Sequence, residues 1–154
     1  MWQRIQTAYL LISSLLFLLL LNNPVARLII SEDLTLRMDV FFISAYQNAF
    51  FEEFSVSPVA TLTISIIAIG LLSIKKKKKR TLQMRLCVFN IILMFGLVGL
   101  IYFYIKITVS ELNGIDRVFL WPIVIPFISI ILTYLALKAI QKDDALVKSY
   151  ERLR

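Results

Sequence analysis

Lys75-Lys76-Lys77-Lys78-Lys79-Arg80 separates two long apolar stretches, and its reading decides the fold. Six consecutive positive charges cannot enter hydrocarbon, so this loop is expected on the cytoplasmic side of a membrane. Working outward, the apolar segment before it runs from about Val56 to Ile74, and the one after it from about Leu86 to Ile105. Two further segments, about Ile5 to Leu21 and about Val118 to Leu137, complete four predicted spans with both chain ends inside. The first, about seventeen residues, is at the short end of the spanning range. None of the four contains Asp, Glu, Lys or Arg. One central charge costs about 2.5–3.5 kcal/mol on insertion scales, so each segment inserts without that penalty.

The remaining charges agree with this orientation. Thirteen Lys and Arg residues fall on the predicted inner side and four on the outer: Arg27, Arg37, Lys106 and Arg117. That asymmetry is the positive-inside bias of a multi-pass protein. Trp2 falls at the inner edge, and Tyr102, Tyr104 and Trp121 at the outer edges, where amphipathic rings anchor a span. A cleaved leader is the competing reading of the first segment. Its small-residue candidate is Ala26, whose −3 position is Pro24, a poor site, so a retained anchor is favoured.

Composition excludes several function classes. The chain is 59% hydrophobic and 18% charged, with a mean hydropathy of +0.81, values that exclude an ordinary soluble domain. With no His and one Cys, Cys87, neither an internal disulfide nor a Cys/His zinc site can form. The net charge of +7 lies in one place, because Lys75 to Arg85 holds seven positive charges and no negative ones. Nucleic acid is therefore not an expected partner. No aromatic residues interleave with the lysines to stack on bases. The expected contacts of Lys75, Lys76, Lys77, Lys78, Lys79 and Arg80 are anionic lipid headgroups of the inner leaflet.

The predicted outer loops are 22–55 and 106–117. Leu34, Leu36, Met38, Val40 and Phe42 alternate with Thr35, Arg37, Asp39 and Phe41, the period of a half-buried strand. Val25 to Ile30 is an apolar partner across the turn Ser31-Glu32-Asp33, so a small hairpin is predicted. Phe42, Tyr46, Phe50 and Phe54 then recur every four residues, which predicts a short helix with one aromatic face. That face either caps the spans or docks an outer partner. After span four the tail is expected to continue helically, with Asp143 or Asp144 able to cap or open a new segment, as an amphipathic helix lying under the membrane or against the bundle.

No catalytic constellation, metal-ligand set or cofactor motif is present. Coupled transport generally uses an intramembrane carboxylate, and the spans hold none. Cys87 lacks a His partner and reads as a packed thiol. Ser, Thr, Asn and Gln within the spans are expected to knit helices together. Gly96 and Gly99, with the Ser129/Thr133 spacing, are expected to allow close helix approach. Pro122 and Pro126 are expected to kink or straighten the outer half of span four.

Three segments carry a resemblance: Gln3-Arg4-Ile5-Gln6-Thr7, Leu82-Gln83-Met84-Arg85-Leu86-Cys87-Val88-Phe89-Asn90, and Lys138 to Ser149 continuing through Arg152-Leu153-Arg154. Together they resemble a family of small four-span inner-membrane proteins of unknown function from Bacteroidota. The resemblance implies the inner membrane of a diderm bacterium and supplies no activity. On the derived topology, all three segments lie on the cytoplasmic side. Arg4, Gln6, Arg85, Asn90, Asp143, Asp144, Arg152 and Arg154 would then form a polar cluster, with Arg85 or Arg4 paired to Asp143 or Asp144.

The expected fold is an all-α membrane protein, a bundle of four transmembrane helices in one domain over 1–154. Its accessories are a hairpin and short helix in the first outer loop, a cytoplasmic loop at 75–85 and a helical tail at 138–154. The expected role is a non-enzymatic scaffold or interaction subunit, with a membrane-protein partner or self-association. The alternative is a homo-oligomeric channel or uncoupled transporter lined by Ser, Thr and Asn of spans two and three. A lipid-acting enzyme has least support, with Asp143 and Asp144 its only candidate groups.

Overall fold

Apolar runs free of internal proline favour long helices, and four form. The computed structural model describes residues 2–30, 35–45, 54–76, 80–111 and 116–152. Helix α1 spans Trp2–Leu21, α2 Ser57–Lys75, α3 Arg80–Glu111 and α4 Ile125–Arg152. Among the described residues, three stretches are long and apolar enough to cross a membrane: Ser57–Lys75, Arg80–Glu111 and Trp121–Val147. Ile5–Leu21 of α1 is a shorter apolar helix. The helices pack in a closed order, α1 on α2, α2 on α3, α3 on α4 and α4 back on α1.

Helix α3 shows why the packing is regular. Its buried residues are Gln83, Cys87, Asn90, Met94, Leu97, Ile101 and Ile105. They recur every three or four positions, one stripe of an α-helix. The opposite face exposes Phe89, Ile92, Phe95 and Phe103.

Several boundaries differ from the sequence reading. Helix α3 begins at Arg80 and continues through Lys106 to Glu111, so it absorbs parts of both flanking loops. At about 1.5 Å per residue its 32 residues reach about 48 Å, well beyond a hydrocarbon core of about 30 Å. Helix α4 starts later than expected, after a 3₁₀ turn at Trp121–Val124. Pro122 lies in that turn and Pro126 is the second residue of α4. Neither prolines' missing N–H breaks a helical bond there, so they start the helix rather than kink it. The tail continues helically as expected, with no new segment opening at Asp143 or Asp144. Lys138-Ala139-Ile140-Gln141-Lys142-Asp143-Asp144 contains no Gly or Pro, and α4 runs through it unbroken to Arg152.

The fold is not purely α. Among the described residues the loops contribute five strands: β1 Ala26–Ile29, β2 Thr35–Met38, β3 Phe42–Ala45, β4 Phe54–Ser55 and β5 Asp116–Phe119. They form one sheet in the order β4-β3-β2-β1-β5, with every pair antiparallel. The expected hairpin is β1 with β2, in the register Ala26↔Met38 and Leu28↔Leu36. The predicted aromatic helix is replaced at its described ends by strands. Phe42 pairs with Ser55, and Ile43 with Phe54. Tyr46 and Phe50 lie outside the described residues, so the four-residue aromatic repeat forms no face that the structure describes. Cross-strand pairing sets the conformation of the described ends of this stretch.

Ala26, Leu28, Leu36, Met38 and Ile43 are buried and join one core with Phe17, Leu20, Val59, Ile105 and Ile125 of the helices. The sheet therefore sits on one end of the helices and is continuous with their interior. In water, each large side chain so buried contributes about 1.5–3 kcal/mol. Strand β5 brings the second loop to the first: Leu120 N donates to Val25 O at 3.0 Å, extending the β1–β5 ladder. Arg117 stands over the Tyr102 ring at 5.9 Å, tying this edge to α3.

Candidate functional site

The helix interior holds two apolar clusters, one continuous with the sheet and one toward the other end around Leu10, Cys87, Ala136, Leu137 and Ile140, with a column of small and polar side chains alongside them. Among the described residues the buried polar groups are Gln6, Ser13, Ser14, Thr63, Ser73, Gln83, Asn90, Ser129 and Thr133. All are neutral. The helical stripes that bury the apolar side chains bury these residues too, since each shares a face with the apolar core of its own helix.

At the far end of the column, Gln6 Nε2 donates to Asp143 Oδ2 at 2.6 Å, joining α1 to α4. Arg80 Nη1 donates to the Asp143 backbone carbonyl at 2.9 Å, joining α3 to the same turn. Arg80, an expected headgroup contact, is half-buried against this turn, while Lys75 and Lys76 are exposed. Lys77, Lys78 and Lys79 lie outside the described residues. Gln83 is buried, one turn into α3 from Arg80.

The sequence-derived cluster is thus distributed. Gln6 and Asp143 are in direct contact, and Asp144 is half-buried beside them in sequence. Arg85 is exposed and lines a groove between α3 and α4 with Phe89 and Gln141, so it is Gln6 that meets the Asp143 carboxylate. Asn90 belongs to the buried column rather than to the end cluster. The side chains of Arg4 and Arg152, and all of Arg154, lie outside the described residues. On the opposite end, Phe42 is exposed on β3, and the side chain of Phe54 is likewise outside the description.

Midway along, three helices converge. A Cβ added at Gly70 of α2 would lie 2.7 Å from Ser14 Oγ of α1 and 3.8 Å from Asn90 Nδ2 of α3. Glycine is what lets these helices approach. By contrast, a Cβ at Gly96 or Gly99 meets nothing within 4 Å, so the close approach expected there occurs at Gly70 instead.

The hydroxyls do less cross-linking than the sequence implied. Ser14, Thr63, Ser65, Ser73 and Thr133 each donate to the carbonyl four residues back in their own helix. Ser13 Oγ and Thr133 Oγ1, 3.4 Å apart, link α1 to α4, and Ser73 of α2 bonds the Cys87 side chain of α3. Asn90 Oδ1 and Ser129 Oγ are buried without a hydrogen-bond partner. Cys87 is a free thiol buried with Leu10, Ala136, Leu137 and Ile140. No group of His, Cys, Asp and Glu among the described residues could hold a metal ion.

What this arrangement can do is limited and definite. It offers a neutral hydrogen-bonding interior closed at one end by a Gln–Asp–Arg junction, without a nucleophile–base pair among these contacts. Sequence reasoning missed Gly70 and Gln83 as contact points, and did not foresee the bond from Arg80 to Asp143. Gly70 carried a signal in its small size within an apolar helix, and the other two were hidden by the dominance of the lysine run.

A family model for a domain of unknown function (DUF4293) matches residues 2–153. No curated protein matches the chain. The match covers nearly the whole chain, and the protein belongs to the DUF4293 family.

Proposed function

We infer that this member of the DUF4293 family is a four-span protein of the inner membrane of a diderm bacterium, with both chain ends cytoplasmic. Its role is non-enzymatic: an interaction or scaffold subunit that engages a membrane-protein partner or further copies of itself. The observation that carries this reading is the exposed apolar surface. Ile92 is 60% exposed, Phe95 59%, Phe103 57% and Ile131 60%, areas that water would not tolerate and lipid or a partner helix would cover. Helix α1 is held on two sides by α2 and α4, which supports its counting as the fourth span. The lysine run and its inside bias support the orientation.

A homo-oligomeric channel or uncoupled transporter is the second reading. Unpartnered Asn90 Oδ1 and Ser129 Oγ favour it, because polar atoms left open in a core are groups that a passing polar solute could use.

Two measurements test these readings. In a Cys87→Ser background, single cysteines at Lys76 and Arg117 are labelled in intact cells with a membrane-impermeant maleimide. Labelling at 117 alone supports the topology; labelling at 76 alone overturns it. The tagged protein is also purified from its own host in mild detergent. A stoichiometric companion supports the scaffold, whereas a homo-oligomer that conducts ions in planar bilayers supports the channel.

A further inference from the structure

Helix α4 is flanked by a groove on each side at the end remote from the sheet. The groove between α1 and α4, about 300 Å³, is lined by Ile5, Tyr9, Leu135, Lys138, Ala139 and Lys142. Three features of this lining belong together. Ile5, Leu135 and Ala139 make an apolar floor, and Ala139, with its small side chain, leaves the α4 backbone open to close approach. Lys138 and Lys142 are four residues apart on one helix, so their stems lie on the same face with the ammonium groups at the rim. Lys138 Nζ is 5.1 Å from the Tyr134 ring centroid, which holds this charge toward the apolar end of the groove. No carboxylate is among the lining residues.

We propose that this groove binds an anionic phospholipid, its phosphate between Lys138 and Lys142 and one acyl chain along Ile5, Tyr9 and Leu135. The inference rests on the membrane-spanning reading above, which puts the groove at the level of the inner-leaflet headgroups. Basic pockets between spanning helices on that side suit such headgroups, and each lysine near an anionic surface adds to the attraction. The apolar floor explains why the occupant is a lipid rather than a free anion: two surface lysines hold phosphate weakly, and the chain supplies the remaining contact. The groove on the other side of α4, about 340 Å³, has a similar apolar floor but a single cation, Arg85, among its lining residues. It serves as an internal comparison with half the charge.

The test uses the full chain in detergent, exposed to equal amounts of phosphatidylglycerol and phosphatidylcholine, with retained lipids counted by native mass spectrometry. The wild type is expected to retain phosphatidylglycerol preferentially. Lys138→Gln/Lys142→Gln is expected to lose this preference, by roughly fivefold per lysine, while Lys106→Gln, toward the sheet end of α3, keeps it. All three lysines are exposed, and a thermal melt verifies that each variant stays folded. Equal retention of the two lipids by the wild type overturns the proposal. So does a loss per lysine as large in the Lys106 variant, which would mean diffuse surface charge. Competition by glycerol phosphate, a headgroup without chains, at concentrations matching the lipid would replace the lipid by a small-phosphate site and also overturn it. If the protein is recovered from the cell without detergent, the membrane reading itself fails. A membrane-bound protein without lipid preference removes this inference alone.

Discussion

Gln6 and Asp143, 137 residues apart in sequence, share a 2.6 Å hydrogen bond that ties the first helix to the last. It closes the ring of helices at the end opposite the sheet. Arg80 reaches the same turn from α3, so three helices are joined around one residue.

Gln6→Leu removes the amide donor from a half-buried carboxylate. A hydrogen bond to a charged group contributes about 1.5–3 kcal/mol, and a loss in that range is expected. Asp143→Asn, which keeps a carbonyl acceptor, should cost less. Thermal unfolding of the two variants in detergent gives the ranking, and equal melting temperatures would refute it.

Gly70→Ala forces its new methyl against Ser14 Oγ, which is itself held by the Leu10 carbonyl at 2.9 Å. The serine must rotate and give up that bond, with an expected cost of about 1–3 kcal/mol. Adding Ser14→Ala removes the obstructing oxygen, so the double variant should recover most of the loss. A double-mutant cycle measures the coupling, and strict additivity would show that the contact carries none.

Ser129 and Thr133 are one turn apart and both buried, yet they should respond oppositely. Ser129 Oγ has no partner, so Ser129→Ala removes an unsatisfied polar atom and should leave stability unchanged or slightly higher. Thr133→Ala breaks the contact with Ser13 and should lower stability by about 0.5–1.5 kcal/mol. Chemical unfolding in mixed micelles distinguishes the two.

Gly96 and Gly99 face outward from α3 with open space around them. Gly96→Leu and Gly99→Leu should therefore leave the monomer fold intact. If copies associate through this face, the same substitutions should weaken the oligomer in crosslinking experiments, because small residues permit close helix contact. Unchanged crosslinking would place self-association elsewhere.

Much of the architecture was legible in the sequence because its physical cause is local. Four uncharged apolar segments, the lysine run and the alternation around Leu36 each act within a few residues of themselves, and the helices and the β1–β2 hairpin follow from them. The aromatic repeat from Phe42 was equally local in appearance, but pairing of β3 with β2 and β4 prevailed, since a strand edge gains its hydrogen bonds from residues distant in sequence. Strand β5 could not be foreseen for the same reason: Asp116–Phe119 has no strand character that outweighs the adjoining apolar run, and it becomes a strand through β1.

Sequence alone therefore determined which segments are helical, where positive charge gathers, and that neither an internal disulfide nor a Cys/His zinc site can form. Tertiary structure alone decided that Gly70, rather than Gly96 or Gly99, is the point of closest approach, and that Asp143 meets Gln6 rather than Arg85. Helix formation and hydrocarbon compatibility are properties of a segment by itself. Which side chains meet depends on how each helix is rotated and shifted against its neighbours, and that is fixed by packing over the whole chain.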